Sequence, residues 1–339
     1  MTTRQEAFSF TLNGSPLETW AGPVSVATGY EYREEYYTQR VDPYAGGITA
    51  STPATFNEPC IDPSIDCVNG NSWNAGNFHN GRGNYHVNEI FLELGVPVLD
   101  DKFWGKVDLS LAGRVAHYST AGQANTWKVG ATWETPIPGV RLRGLMSRDI
   151  RAPNLSELFA PAQGLNSAIN NVFVTPNIPG QTVRQLNEGN PALKVEKGLT
   201  TELGIVYQPS WLPGFQASID YYRIDLKGAI TSLSPQTVVD LCFRGNALYC
   251  QQDQITTLNG TNVSTANPGR IGDPNQVTQV HSRVFNQASF LTDGFDFEVG
   301  YQRDLEDLDI PGTVNLRALV NHTSKFISNS GVPGTQLNT

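Results

Sequence analysis

No stretch of this 339-residue chain approaches 18 consecutive apolar residues, so it contains no membrane-crossing helix. That absence says nothing against crossing by strands, whose hydropathy signal is far weaker. A basic surplus is missing too: 23 Lys and Arg stand against 32 Asp and Glu, a net charge of −9. Neutralising phosphates takes a basic face, so no nucleic-acid partner is expected. Catalytic signatures are absent as well, with no GxSxG elbow, HExxH, GxxxxGK[ST] or GxGxxG. Glu89 and Glu93 lie on one strand face but too far apart for an acid/base pair. No enzyme is expected, and no cofactor. The N-terminus, MTTRQEAFSF, has neither a basic nor an apolar leader region. Either the protein is cytoplasmic or this is a piece of something longer.

Cysteine and histidine are scarce, at four and five residues. The cysteines form two close pairs, Cys60/Cys67 and Cys242/Cys250, each in a polar, turn-rich stretch. Neither pair has zinc spacing, even with His79 and His86 near the first. Local disulfides in an oxidising compartment fit better than four free thiols, and favour the reading of a piece over a cytoplasmic protein. Asp62 and Asp66, with Asp42 nearby, could hold calcium, although a solvated loop explains them as well.

What the chain has in quantity is alternation. In KVDLSLAGRV, Val107, Leu109, Leu111 and Val115 share one face, and Lys106, Asp108, Ser110 and Arg114 the other. WKVGATWE, TELGIVY and DGFDFEVGYQ repeat the pattern, and similar rows bring the expected total to about ten strands. Connections alternate between tight and long. Tight ones join Leu99 to Phe103, Thr135 to Gly139, Pro209 to Gly214 and the acidic run Asp304 to Gly312. Long ones cover about 38–84, 151–197, 230–279 and 328–339, with one short exception at 119–125. Loops above 12–15 residues are uncommon in compact domains. A meander with turns at one end and long loops at the other is an outer-membrane barrel pattern. Phe103, Trp104, Trp133 and Trp211 sit beside the tight turns, and Tyr30, Tyr32 and Tyr118 toward the other end, as two interfacial belts would require. The fold expected is all-β: an antiparallel up-and-down transmembrane barrel segment, short turns periplasmic and long loops extracellular. Its polar rows would line a lumen, with Glu89, Arg114, Lys128, Arg141, Arg143, Glu202, Asp296, Glu298 and Arg317 as candidate wall residues.

One segment, SRDIRAPNLSELFAP (residues 147–161), resembles a hallmark of TonB-dependent outer-membrane receptors, in which a strand ending in Ser-Arg runs into Arg-Ala-Pro and Glu-Leu-Phe. AGPVSVATGYEYREE and TWKVGATWETPIPGVRLRG are similar to that family's strands. GNPALKVEKGLTTELGIVYQPSWLPGFQASIDYYRIDLKGAI, SPQTVVDLCFRGNALYC and LTDGFDFEVGYQ continue the likeness in family order. Leu193-Lys194-Val195-Glu196 departs from the family's Leu-Lys-Pro-Glu. Signal peptide, energy-coupling box, plug domain and last strands are not visible, which reads as a barrel fragment. The resemblance implies residence in the outer membrane of a Gram-negative bacterium. Its partners would be outer-membrane lipid, a plug domain and the TonB complex. The function implied is uptake of a scarce solute of siderophore, cobalamin or oligosaccharide class, with this segment inactive alone.

Within the hallmark, Ser147, Arg148, Arg151, Pro153, Glu157 and Phe159 form the expected corner. Pro153 ends the strand, Asn154 or Ser156 caps the next turn, and Leu155, Leu158 and Phe159 pack on the rim. Arg151 is a candidate to bind a carboxylate of the rim or of the plug; ligand contact by Arg148 or Arg151 is the alternative. Two other readings make different predictions. A passive porin would have a smaller barrel with no plug-facing wall. A soluble β-sandwich adhesin or carbohydrate-binding protein would bury Leu109, Leu111 and Trp127. A fragment should be an open sheet with edges near Phe8 and Leu316.

Overall fold

The computed structural model describes residues 1–40, 80–174, 176–250, 254–257, 276–306, 311–332 and 337–338. Its frame is a ladder of antiparallel strands in chain order: β1 (Thr2–Thr19), β2 (Gly22–Gln39), β3 (Gly81–Asp101), β4 (Gly105–Tyr118), β5 (Gly122–Glu134) and β6 (Val140–Arg151). A short helix α1 (Leu155–Phe159) and a hairpin, β7 (Gln163–Asn171) and β8 (Ile178–Glu188), follow. The ladder resumes with β9 (Glu196–Tyr207) and β10 (Phe215–Ser232). Helix α2 (Pro235–Phe243), a 3₁₀ turn (Ala247–Cys250) and β11 (Ile255–Thr257) intervene before β12 (Val277–Asp304) and β13 (Thr313–Asn329). A two-residue β14 (Leu337–Asn338) pairs with the end of β13. Ten long strands thus make the wall, and β1 does not pair with β13: the sheet is open.

Alternation decides which way each side chain points, because successive strand residues face opposite sides. One row continues across strands as Phe10, Tyr30, Ile90 and Val115, matched by register. The opposite row continues as Ser9, Glu31, Glu89, Ala116 and Ala124. The first row is exposed: Phe8, Phe10, Leu12, Ile90, Leu92, Val129, Leu203, Ile219, Val299 and Leu316 all lie open. The second lines shared hollows. One, of about 460 Å³, is formed by Gly95, Ser110, Lys128, Arg143, Glu202 and Asp220, which come from six neighbouring strands. Six adjacent strands line one hollow only on the concave side of a curved sheet. The apolar row is therefore convex. Leu109, Leu111 and Trp127 belong to it and to no buried cluster, which excludes the sandwich.

The tight turns share one device. Gly105 opens β4, and Gly139 and Gly214 immediately precede β6 and β10, with φ of 79°, 80° and 84°. A Cβ on Gly139 would lie 2.2 Å from Gln208 O, and on Gly214 1.8 Å from Gln302 O. The same two glycines accept bonds at 2.7 and 2.9 Å from Gln208 N and Gln302 N. Left-handed geometry and lack of room both demand glycine there. Exposed Trp20, Phe103, Trp104 and Trp211 ring this end.

The buried clusters sit at the opposite end. One packs α1 with Leu193 and Val195 against Tyr85, Val87, Ala116 and Tyr118. The other joins β7, β8, α2, β11 and the upper part of β12 around Phe173, Val239, Ile255 and Val277. The long connections at 151–197 and 230–279 are therefore folded where described rather than irregular. Most of 38–84, including Cys60, Cys67, Asp42, Asp62, Asp66 and His79, lies outside the described residues.

Candidate functional site: a charged wall and a latched corner

At the outer end of β6, inward-facing Ser147 donates to Asp149 Oδ2 at 2.7 Å. Arg148 falls on the other row, opposite Trp127. Pro153 is buried, and its ring bars Ala152 from the helical region, so the chain leaves the ladder there. Asn154 then caps α1: its side chain accepts from Glu157 N at 2.8 Å, while Glu157 Oε2 accepts from Asn154 N at 2.8 Å. This reciprocal capping box starts a five-residue helix too short to persist unaided. Leu158 is fully buried, and the Phe159 ring lies flat against Gly83, where a Cβ would sit 2.1 Å from Cγ.

Arg151 holds the corner shut. Nε and Nη2 donate to Glu196 at 2.8 and 2.6 Å, and Nη1 and Nη2 to the two oxygens of Glu157 at 3.0 Å each. Glu196, which opens β9, also accepts from Ile230 N at 2.6 Å. One guanidinium fork thus ties β6, α1, β9 and β10 together. Burial pushes the Glu196 carboxyl up, but Arg151 and the Ile230 amide outweigh it and hold it below the ordinary range. Bonds to Glu196 and then Glu157 raise Arg151 further above its usual value. Arg151 has the rim carboxylate expected of it, and its partner Glu196 ends the Leu193–Glu196 motif.

Inside the wall, Arg114 Nη1 donates at 2.8 Å to Glu89, which is buried, and its guanidinium stands over the Phe91 ring at 5.4 Å. Arg143 makes a two-pronged pair with Asp220, at 2.7 and 2.6 Å, two strands away. Gly204 lies between them in register; a Cβ there would be 1.9 Å from Asp220 Oδ1. The glycine is the gap across which the pair closes. Arg317 donates to Glu298 at 2.7 Å, and Asp296 accepts from Asn321 at 2.6 Å. Lys128, Arg141 and Glu202 face inward with no ion-pair partner among the described residues. Asp220, Tyr222 and Asn321 belong to the same wall; the alternation of FQASIDYYR carries the first two.

Above the wall, Cys242 and Cys250 are joined by a disulfide with Cα atoms 4.9 Å apart. It ties the end of α2 to the 3₁₀ turn. Glu188 accepts from His281 Nδ1 at 2.9 Å and pairs with Arg283. Burial raises its carboxyl, and these two partners lower it by more. No group of ligating side chains able to hold a metal occurs among the described residues.

A wall of paired and unpaired charges on the concave side of a sheet with a convex apolar surface is suited to holding a polar occupant inside a membrane ring. Comparison with known proteins agrees. No curated protein matches the chain. Among solved structures, the siderophore receptor PirA from Acinetobacter baumannii superposes with a TM-score of 0.56 at 16% identity, covering 99% of this chain and 42% of that one. A point mutant of the ferric enterobactin receptor from Pseudomonas aeruginosa gives 0.55 at 16%, covering 94% and 35%. The FrpB iron transporter from Neisseria meningitidis gives 0.51 at 13%, covering 98% and 37%. At such identity these likenesses show the fold alone, and the chain spans well under half the length of each. The family model for the β-barrel of TonB-dependent receptors matches residues 2–339. Barrel topology, concave charged wall and hallmark corner converge with that match: the chain belongs to the TonB-dependent receptor β-barrel family.

Proposed function

We propose that this chain forms part of the wall and outer mouth of a receptor that takes up a scarce solute across the outer membrane of a Gram-negative bacterium. A ferric siderophore is the favoured solute class, ahead of cobalamin or an oligosaccharide, because the structural neighbours are iron and siderophore receptors. The tight turns face the periplasm, and the folded connections around Arg151 and the Cys242–Cys250 disulfide face the medium. A plug domain fills the concave side against Lys128, Arg141, Arg143 and Glu202, and the TonB complex moves that plug. On this division of labour the segment does not transport alone. The observation that carries the reading is the sorting of the rows, apolar outward and charged inward, over ten strands.

The test expresses the chain behind a secretion leader in a strain lacking its own siderophore receptors. The chain is expected in the outer-membrane fraction, with no energised uptake of radioactive iron–siderophore. Recovery as a soluble periplasmic protein would defeat the membrane reading. Energised uptake by this chain alone would defeat the division of labour.

A further inference from the structure

Four basic side chains gather on the convex row at the outer ends of β6, β9 and β10. Arg148 is opposite Leu199 and Lys197 opposite Ile150, which makes the two cations diagonal neighbours. Lys197 is also directly opposite Lys227. Like charges so placed repel at close range, and the arrangement costs stability unless an anion intervenes. Arg223 follows four residues below Lys227 on the same row. Two carboxylates offset part of this charge: Asp225 lies 3.4 Å from Lys227, and Asp293 on β12 stands in register between Arg223 and Lys325. The side chains of Arg148, Lys197 and Arg223 have no ion-pair partner among the described residues.

The patch lies where the strands leave the apolar belt. Arg148 is the ninth residue of β6 and Arg223 the ninth of β10, counted from the tight-turn end, and a membrane strand takes about 9–11 residues. Below it on the same face come exposed Met146, Leu203, Ile205 and Ile219. The grouping is local. In register with Arg148 across β5, β4, β3 and β2 stand Trp127, Gly113, Leu92 and Thr28, and next above them Asn125, Val115, Ile90 and Tyr30. None of these is charged, and the chain as a whole carries a net charge of −9. Cations that only anchor strands at an interface would be spread around the wall. Cations crowded on three strands above apolar side chains match a ligand with phosphates at one end and acyl chains at the other. Arg148, in the hallmark corner, points away from the lumen and is placed for a lipid rather than for a solute held inside.

We propose that Arg148, Lys197, Arg223 and Lys227 bind the headgroup of a multiply phosphorylated lipid of the outer leaflet, whose acyl chains lie along Met146, Leu199 and Leu203. Lys197 and Lys227 share one phosphate, which relieves their repulsion. Arg148 and Arg223, lower on the same face, offer guanidinium forks to a second. The proposal rests on the membrane reading above and adds a ligand on the convex side, apart from any solute or plug in the lumen.

The test refolds the full chain in detergent and in phosphatidylcholine vesicles. Quenching of its tryptophans by brominated phosphatidylcholine reports insertion, and native mass spectrometry from detergent reports bound lipid. Diphosphoryl lipid A is expected to stay on the parent chain, its monophosphoryl form more weakly and phosphatidylcholine not at all. Lys197→Gln with Lys227→Gln should weaken retention by about tenfold or more, and Arg148→Gln with Arg223→Gln should weaken it likewise. Lys197→Arg with Lys227→Arg should keep it, and Lys128→Gln with Arg141→Gln, on the concave row, should leave it unchanged. Undiminished retention in both convex glutamine variants, equal loss in the concave one, or retention indifferent to phosphate number overturns the site. Displacement of the lipid by equimolar inorganic diphosphate also overturns it, assigning the patch to a soluble anion. Quenching that persists beside any of these failures leaves the membrane reading intact. No quenching by brominated lipid overturns both.

Discussion

Replacing Arg151 by alanine removes four hydrogen bonds at once, and the structure says which of them matter. Glu196 has a side chain 7% exposed and Glu157 one 19% exposed, while Arg151 itself is 45% exposed. Breaking a fully buried pair costs roughly 3–5 kcal/mol, because a carboxylate is left desolvated. Solvent around the guanidinium discounts this, and Glu196 keeps the Ile230 amide, so a loss of about 2 kcal/mol is expected at pH 7. The pH dependence gives the sharper test. The Glu196 carboxyl is held below its unfolded value, which lies near about 4.3. Its stabilisation is therefore complete above that value and fades as pH falls through the lower folded value. In Arg151→Ala the carboxyl loses the partner that lowered it and protonates earlier. The deficit should shrink steadily below about pH 4 as both proteins lose the charge. Urea unfolding of detergent-refolded protein, at pH 7 and at intervals down to pH 3, measures this. A second arm combines Arg151→Ala with Glu196→Gln, where the paired losses should couple by about 1 kcal/mol or more. A deficit that is constant with pH, or an uncoupled pair, would show that Arg151 acts through packing of its stem and not through the latch.

The remaining expectations use the same preparation. Gly83→Ala places a methyl inside the Phe159 ring position and should cost about 1–3 kcal/mol, with most of it recovered when Phe159→Ala is added. Gly204→Val should break the Arg143–Asp220 pair that closes over that glycine; its effect on stability should not add to that of Asp220→Asn. Cys242→Ser with Cys250→Ser removes a short closed loop and should cost α2 and its surroundings about 2–3 kcal/mol. Limited proteolysis should cut near 235–257 sooner, at an unchanged urea midpoint for the wall. Leu203→Arg puts a charge on the convex row, where about 2–4 kcal/mol is lost at the bilayer midplane. The neighbouring Glu202→Arg, on the concave row, should leave vesicle insertion intact; equal loss of insertion in both would contradict the assignment of faces.

The wall was legible because its physics is local. Each strand repeats a two-residue choice between lipid-like and polar surroundings, and that choice is written residue by residue in stretches such as 107–115 and 295–301. The open sheet between β1 and β13 followed from the family resemblance and the fragment reading it carried, since the strand count alone also suits a closed barrel. The corner was legible in part. Proline at 153 and Asn154 announce a stop and a cap, but nothing local says that Arg151 reaches Glu196, 45 residues on. Likewise, alternation marks Gly204 only as an inward position; that it is the gap for an ion pair needs the register of three strands. The outer connections were least legible. β7 and β8 form a hairpin whose second strand pairs with β12 in parallel, and their apolar residues are too few and too irregular to show a period.

β12 shows why the two halves of the molecule obey different rules. Over residues 295–299 its apolar side chains Phe295, Phe297 and Val299 are exposed on the convex face, with strand neighbours such as Tyr221 beside them but nothing packed over them. Over 277–282 the same strand buries Val277, Val280 and Ser282 beside β8 and β11, with Val277 and Val280 in the cluster that includes α2. On the proposed membrane reading, a bilayer supplies the apolar environment for the first part, and the chain must supply its own for the second. That is why buried clusters, the disulfide and the latched corner all gather at one end, where lipid no longer covers the strands. β10 and β12 carry the ladder directly from the Arg143–Asp220 level into the cap, so displacement of the cap must bend or shear strands that belong to the wall.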